Sequence, residues 1–203
     1  MKIQIAVLGL MTVLSGSAVA APLTFDFKDP KGVNNAVFKL DAPLEAVSGS
    51  ANGISGAVTF DPEKPAATKG KIVVTSESVT VPNSMMNGHL HGGQWLDSKK
   101  YPELSFEVKE LKDVKTEGDA TTAKAVGTFT CKEISKELTI PVKLTYLKDK
   151  LGQRVPNMKG DLLVIRSSFA IKRSDFNINA HQFEDKVSDD IELTLSIAGA
   201  SAR

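Results

Sequence analysis

Apolar and polar residues alternate along much of this chain. In residues 138–146 every second position is apolar, from Leu138 and Ile140 to Tyr146. Successive side chains of a β-strand point to opposite faces, so this period of two predicts a strand with one buried face. The same alternation recurs in residues 163–171 and 191–197. The pattern predicts three long strands in an all-β protein.

Shorter strand candidates and turn residues extend this prediction. The candidates lie in residues 23–27, 37–40, 57–60, 71–75, 104–108 and 123–131. Residues suited to tight reversals separate the strands: Asp29-Pro30-Lys31-Gly32, Asp61-Pro62, Glu117-Gly118-Asp119 and Lys159-Gly160-Asp161. Eight or more antiparallel strands follow. Closure into a barrel or a two-sheet sandwich would bury their apolar faces and remove exposed edges.

Residues 83–96 lack this alternation. Their apolar residues could lie on a short helix: Met85, Met86, Leu90, Trp95 and Leu96. Asn83 or Ser84 is suited to cap such a helix. Three glycines oppose it, because glycine costs roughly 1 kcal/mol against alanine in a helix interior. The apolar residues and the cap outweigh this cost, so we predict a short helix here.

This segment contains two of the three histidines, His89 and His91. On a strand both rings would point to one side and could bind one metal ion. On a helix they lie about 200° apart, so one ion could not hold both. The helix places His89 within the apolar face and His91 on the far side, near Trp95. We expect His89 to be a hydrogen-bonded core residue or a polar contact at a cavity mouth.

These observations leave two functions open. One is a metal-dependent enzyme or metal carrier that uses His89, His91 and His181, with a carboxylate such as Glu184. The other is a stress-protective barrel without a physiological ligand. No nucleophile elbow, zinc-protease motif or P-loop is present in the sequence.

The amino end predicts export. Met1-Lys2, an apolar run over residues 3–14 and the small residues Ala18-Val19-Ala20 are typical of a secretory signal, so the mature chain would begin at Ala21. No later window reaches the roughly 20 apolar residues of a spanning helix, so we expect no stable membrane anchoring. The 203 residues include 25 basic and 24 acidic ones, and a balanced charge argues against nucleic-acid binding.

Two further features have simple structural interpretations. Cys131 ends a probable strand, where we expect a buried, unreactive thiol. Arg173 and Asp175 lie two residues apart at the end of another strand, where they would form a local ion pair or cap a turn.

Several segments match a known family in the right order. They are "DAPLEAVSGSANGISGAVTFDPEKP" (41–65), "NGHLHGGQWLDSKKYPELSFEV" (87–108), "GTFTCKEISKELTIPV" (127–142), "AIKRSDFNI" (170–178) and "VSDDIELTLSI" (187–197). In the second segment the matching residues are His89, Leu90, Trp95, Leu96, Asp97, Tyr101, Pro102 and Phe106. With these motifs the chain resembles the YceI-like family of polyisoprenoid-binding, lipocalin-like proteins of the bacterial periplasm.

Departures from the family pattern also occur. Asn87-Gly88 replace the usual Arg-Asp, and His91 replaces a common Arg or Lys. Glu133 and Asn177 replace glycines. Asparagine tolerates the left-handed conformation, whereas glutamate does so less readily.

The resemblance implies an eight-stranded antiparallel lipocalin-like barrel over residues 21–203, with a short helix near its mouth. An apolar tunnel would bind an isoprenoid or quinone-like lipid, without catalysis, cofactor or metal, in the periplasm. Family members often form homodimers, so a homodimer is compatible with it. The candidate ligand-binding residues are Phe25, Phe38, His89, Leu90, Trp95, Phe106, Phe129 and Phe169.

Overall fold

The structure is a computed structural model that describes residues 21–203. The predicted signal segment, residues 1–20, lies outside the described residues. Among the described residues, no helix is both long enough and apolar enough to cross a bilayer.

Strands dominate the chain. Their bounds are β1 Leu23–Asp26, β2 Asn35–Asp41, β3 Ala46–Ala51, β4 Ile54–Phe60, β5 Lys69–Thr75, β6 Val79–Thr80, β7 Glu103–Glu117, β8 Ala120–Cys131, β9 Ile134–Leu147, β10 Gly160–Lys172 and β11 Asp190–Ala202. The helices are α1 Ser84–Leu90 and α2 Leu151–Arg154. Short 3-10 turns occupy Pro65–Ala67, Ser76–Ser78 and Ser174–Phe176.

These strands form one closed antiparallel barrel. β7 to β11 pair with one another in sequence order. The shorter strands share positions in the barrel: β1 with β2, β3 with β4, and β5 with β6. β1 and β2 pair with opposite ends of β11, and they pair in turn with β4 and β3. β5 and β6 extend this arrangement by pairing with β4 and β3. Because β5 also pairs with β7, the ring closes with eight strand positions, and the predicted eight-stranded barrel is confirmed.

Alternation places the predicted apolar face inside the barrel. Ile140 and Leu144 of β9, Leu163 and Ile165 of β10, and Ile197 of β11 are all buried in one core. Their polar neighbours along each strand face outward. The period of two therefore predicted correctly which side of each long strand is buried.

Aromatic side chains fill one end of the barrel. The Phe25 ring packs edge-on against Tyr146 at 6.2 Å between centroids, and Phe60 lies 6.1 Å from Tyr146. Phe27 packs over Gly199, where an added Cβ atom would lie 2.6 Å from its ring. This packing needs glycine at position 199, and it closes the end of the barrel opposite α1.

A buried carboxylate ties strands together at this closed end. Asp161 accepts a 2.9 Å hydrogen bond from the Tyr146 hydroxyl and a 2.8 Å bond from the Asp149 backbone N–H. Arg203 donates to the same carboxylate at 2.6 Å. Burial raises the pKa of Asp161, but these hydrogen bonds and the Arg203 charge outweigh burial and lower the pKa below its usual value.

The helix α1 begins where the sequence predicted. The Asn83 side chain caps it by accepting hydrogen bonds from the backbone N–H groups of Met85 and Met86, at 3.0 and 3.3 Å. The helix ends at Leu90, however, so the predicted inclusion of Trp95 and Leu96 is wrong. Glycines at positions 92 and 93 follow its end, where the chain turns. Leu96 returns toward the helix because its N–H donates to the Leu90 carbonyl at 3.0 Å.

Asn87, one of the departures from the family pattern, attaches α1 to the barrel. Its side-chain amide donates to the Val81 carbonyl at 2.9 Å and accepts from the Val81 N–H at 2.8 Å. These two hydrogen bonds hold the helix beside the end of β6.

Candidate functional site

The barrel encloses a cavity of about 860 Å³ that opens beside α1. Its walls come from the inward faces of the strands, and its open end is bordered by α1 and the loop 177–187. Its charged lining residues are Glu45, Arg173 and Lys186. Most other lining side chains are apolar, so the cavity is suited to a hydrocarbon chain.

The structure brings most of the predicted ligand-binding residues together around this cavity. Those that line it are Phe38, His89, Leu90, Trp95, Phe106, Phe129 and Phe169. Phe25 is not among them. Its ring is fully buried at the closed end, against Tyr146, because the alternation of β1 directs it into the solid core.

The prediction from aromatic residues missed much of the aliphatic lining. Additional lining residues include Ile72, Val74, Leu104, Ala125, Val142, Ile165, Ile191, Leu193 and Leu195. They occupy the same inward positions that the alternation marks. Sequence alone does not show at which height along the barrel packed core gives way to open cavity.

The two histidines differ from the prediction in their burial. His89 borders the cavity mouth but is exposed, so the expectation of a buried core histidine is wrong and the alternative of a residue at the mouth describes its location. His91, expected to face outward, is half-buried. Its Nδ1 atom lies 2.8 Å from the hydroxyl of Ser98, which lies 2.9 Å from the hydroxyl of Ser76.

The ligand set of the metal hypothesis is not assembled. His181 has a side chain that is 82% exposed, and it lies 3.6 Å from Glu184. Within residues 21–203, no three His, Cys, Asp or Glu side chains are close enough to share a metal ion. The arrangement around the cavity provides apolar contacts instead.

Arg173 is fully buried beside the cavity mouth. The predicted ion pair with Asp175 is wrong, since Asp175 lies 3.3 Å from Lys136, whereas the alternative prediction of a turn-capping role describes Arg173. Arg173 donates instead to backbone carbonyls of the loop that follows: Ile178, Asn179, Gln182, Val187 and Ser188. Its guanidinium lies 5.9 Å from the centre of the Trp95 ring. Arg173 therefore fixes the loop 177–187 against the open end.

Cys131 also lines the cavity and is 1% exposed. Burial raises the pKa of its thiol to about 11, and the Lys132 charge opposes this rise only weakly. The thiol is therefore protonated at neutral pH and a poor nucleophile, as the sequence predicted.

Comparison with known proteins agrees with this architecture. The model of the YceI-like domain matches residues 19–198. The chain belongs to the YceI-like family. A UPF0312 protein of Yersinia pestis is 31% identical over 199 residues, which cover 97% of this chain and 95% of that protein. A UPF0312 protein of Yersinia enterocolitica is 29% identical over 198 residues, covering 96% and 94%.

Solved YceI-like structures share the fold. The YCEI protein of Campylobacter jejuni has a TM-score of 0.62 at 25% identity and covers 75% of this chain and 83% of that one. A polyisoprenoid-binding domain from Saccharophagus degradans has a TM-score of 0.63 at 9% identity, covering 89% and 99%. The latter likeness concerns the fold alone.

Proposed function

We propose that this YceI-like protein binds an isoprenoid or another long-chain amphiphilic lipid in its barrel and carries or stores it without transforming it. The observation that carries the proposal is the apolar cavity of about 860 Å³, open at one end. Its volume lies in the range of small-molecule binding sites in proteins. The fold that it shares with the polyisoprenoid-binding domain of Saccharophagus degradans adds support.

Burial of the hydrocarbon chain would supply the binding energy. Each CH2 group removed from water contributes about 0.8 kcal/mol, before the cost of ordering the chain is subtracted. A few isoprene units therefore suffice for tight binding. Phe106 and Phe129 would contact the chain within the barrel, while His89 would lie near its outer end.

The test is lipid content before and after organic extraction. Native mass spectrometry of the gently purified protein would show bound lipid as added mass. The extracted protein would then be refolded and offered a quinone or polyprenol of known length. We expect uptake of one lipid per chain. A folded barrel that is empty as purified and takes up no isoprenoid would contradict the proposal and favour a ligand-free protective role.

A cavity-filling variant sharpens this test. Ala125 of β8 is buried and lines the cavity. Ala125→Phe would fill space that the lipid needs, so uptake of long chains should fall. Ala57 of β4 is exposed and lies outside the cavity lining. Ala57→Phe is the matched control and should bind as the unchanged protein does.

The proposed site of action is the periplasm. This part rests on the predicted signal in residues 1–20 and on the family resemblance. Cell fractionation, with sequencing of the mature amino terminus, tests it, and the expected first residue is Ala21. A homodimer stays a prediction, which light scattering of the purified protein checks.

A further inference from the structure

A second, polar pocket adjoins the main cavity. It has a volume of about 260 Å³ and is lined by Gly93, Gln94, Lys132, Asn177, Asn179, Ala180 and Gln182. Gly93, Gln94 and Asn179 also line the main cavity. The two spaces therefore meet at these three residues, with apolar walls on one side and polar walls on the other.

Asn179 is the central polar residue at this boundary. It is only 7% exposed. Its backbone is fixed, because its N–H donates to the Gln94 carbonyl at 2.8 Å and its carbonyl accepts from Arg173. Its side-chain amide makes no hydrogen bond with any residue in 21–203, whereas every completely buried side-chain nitrogen or oxygen in that range has a partner. The amide is therefore not completely buried, and Asn179 lines both pockets where they meet.

The other polar side chains of the pocket are one cation, Lys132, and amides that can both donate and accept hydrogen bonds. The Lys132 ammonium donates to the Asn177 carbonyl at 2.8 Å, which leaves two of its three N–H groups free for a ligand. Gln94 adds a second side-chain amide. No Asp or Glu lines this pocket. A group that accepts hydrogen bonds and carries negative charge would complement these residues.

We propose that the polar pocket binds the head group of the lipid whose chain occupies the main cavity, and that this head group is anionic and rich in oxygen, such as a phosphate. The inference rests on the proposed lipid-binding function. Burying a polar head in the apolar cavity would cost free energy, whereas Asn179 and Lys132 provide hydrogen bonds at its edge. A water molecule occupies about 30 Å³ of liquid, so the pocket has room for a phosphate.

The experiment compares two ligands of equal chain length, geranylgeranyl phosphate and geranylgeraniol, on the delipidated full chain. A hydrogen bond to a charged group strengthens binding by about tenfold. We expect the phosphate to bind the unchanged protein at least about tenfold more tightly than the alcohol. Equal affinities would overturn the anionic head group but leave lipid binding intact. Binding of neither ligand would overturn both proposals.

Two variants test whether Asn179 and Lys132 produce the preference for the phosphate. Asn179 has a φ of 44°, so Asn179→Gly removes the amide while keeping this backbone conformation accessible. Lys132→Met removes the charge. Each should reduce the preference for the phosphate over the alcohol by about threefold to tenfold. Lys136→Met, at an exposed lysine outside the pocket, is the control. An unaltered phosphate preference in both pocket variants, with melting curves showing folded protein, would overturn the assignment.

Discussion

The imidazole of His91 and the hydroxyl of Ser98 are joined by a 2.8 Å hydrogen bond, and Ser98 continues this chain to Ser76 at 2.9 Å. Both serines are almost completely buried. The chain of bonds links the end of α1 to the turn after β5. His91, which stands where the family usually has a basic residue, thus attaches the helix to the barrel.

His91→Ala should therefore destabilise the protein by about 1–2 kcal/mol, because a buried hydroxyl loses a hydrogen-bond partner. His89→Ala is the matched control. The His89 side chain is exposed and makes no hydrogen bond within the described residues, so its removal should leave the free energy of unfolding within about 0.5 kcal/mol. Urea denaturation of the delipidated proteins measures both. Equal effects of the two changes would contradict the assigned roles.

Arg173→Lys should be strongly destabilising. Lysine has three N–H donors and lacks the planar fork with which Arg173 binds five carbonyls. Buried carbonyls left without partners cost about 1–3 kcal/mol each, so we expect a loss above roughly 3 kcal/mol. Hydrogen exchange should also accelerate in residues 177–188.

Arg166→Lys controls for the chemical change itself. Arg166 is exposed on β10 and donates to only two backbone carbonyls, those of Ile165 and Ile197, so stability should change by less than about 1 kcal/mol. A similarly small loss from Arg173→Lys would show that the buried guanidinium does not hold the loop.

Tyr146 should make the protein sensitive to high pH. Burial, together with the hydrogen bond to Asp161 and the charge of that carboxylate, raises the pKa of Tyr146 to about 12. Its unfolded value is about 10. The phenol's contribution to stability is therefore complete below pH 10 and is lost as pH rises from about 10 through 12.

Tyr146→Phe tests this pH dependence. The variant should lose less stability than the unchanged protein between about pH 10 and 12, measured by chemical denaturation at each pH. Tyr101→Phe controls for removal of a phenol elsewhere. Parallel curves for the unchanged protein and Tyr146→Phe would contradict this assignment.

Glu133→Gly should stabilise the hairpin between β8 and β9. Glu133 has a φ of 62°, and a left-handed conformation costs an ordinary residue roughly 1–2 kcal/mol. Glycine removes this cost but loses more entropy on folding, so the expected net gain is about 0.5–1 kcal/mol. Asn177→Gly, at a φ of 50°, should gain less because asparagine tolerates this conformation. Thermal unfolding measures the difference, and a larger gain at Asn177 would contradict it.

Cys131 should resist thiol reagents in the folded protein. At pH 7–8 its raised pKa leaves almost no thiolate, and its burial blocks access. Labelling should become fast only after unfolding. Thr122→Cys in a Cys131→Ala background places a thiol at an exposed position of the same strand and should react readily. Rapid labelling of native Cys131 would contradict this assignment.

Local chemistry in the sequence accounts for the elements and for a few individual residues. The period of two predicted the strands because adjacent side chains of a strand face opposite sides of the sheet. Asn83 was recognisable as a helix cap because its side chain is short and accepts backbone N–H groups. Cys131 was expected to be buried because its neighbours alternate as in a strand.

Predictions for individual side chains failed where the true partners lie in the following loop or turn. Arg173 was expected to pair with nearby Asp175, but the loop 177–187 folds back and presents carbonyls to its guanidinium. His91 was expected to face outward, but α1 ends at Leu90 and the turn that follows brings Ser98 to His91.

The sequence by itself thus determined the all-β class, the inward face of each long strand and the position of the short helix. Only the tertiary structure decided that Phe25 fills the closed end while Phe106 and Phe129 line a cavity, and that Asn179 lies where that cavity meets a polar pocket. The physical reason is that periodicity reports which face of a strand is buried, whereas open space depends on how all eight strand positions and the covering loop pack together.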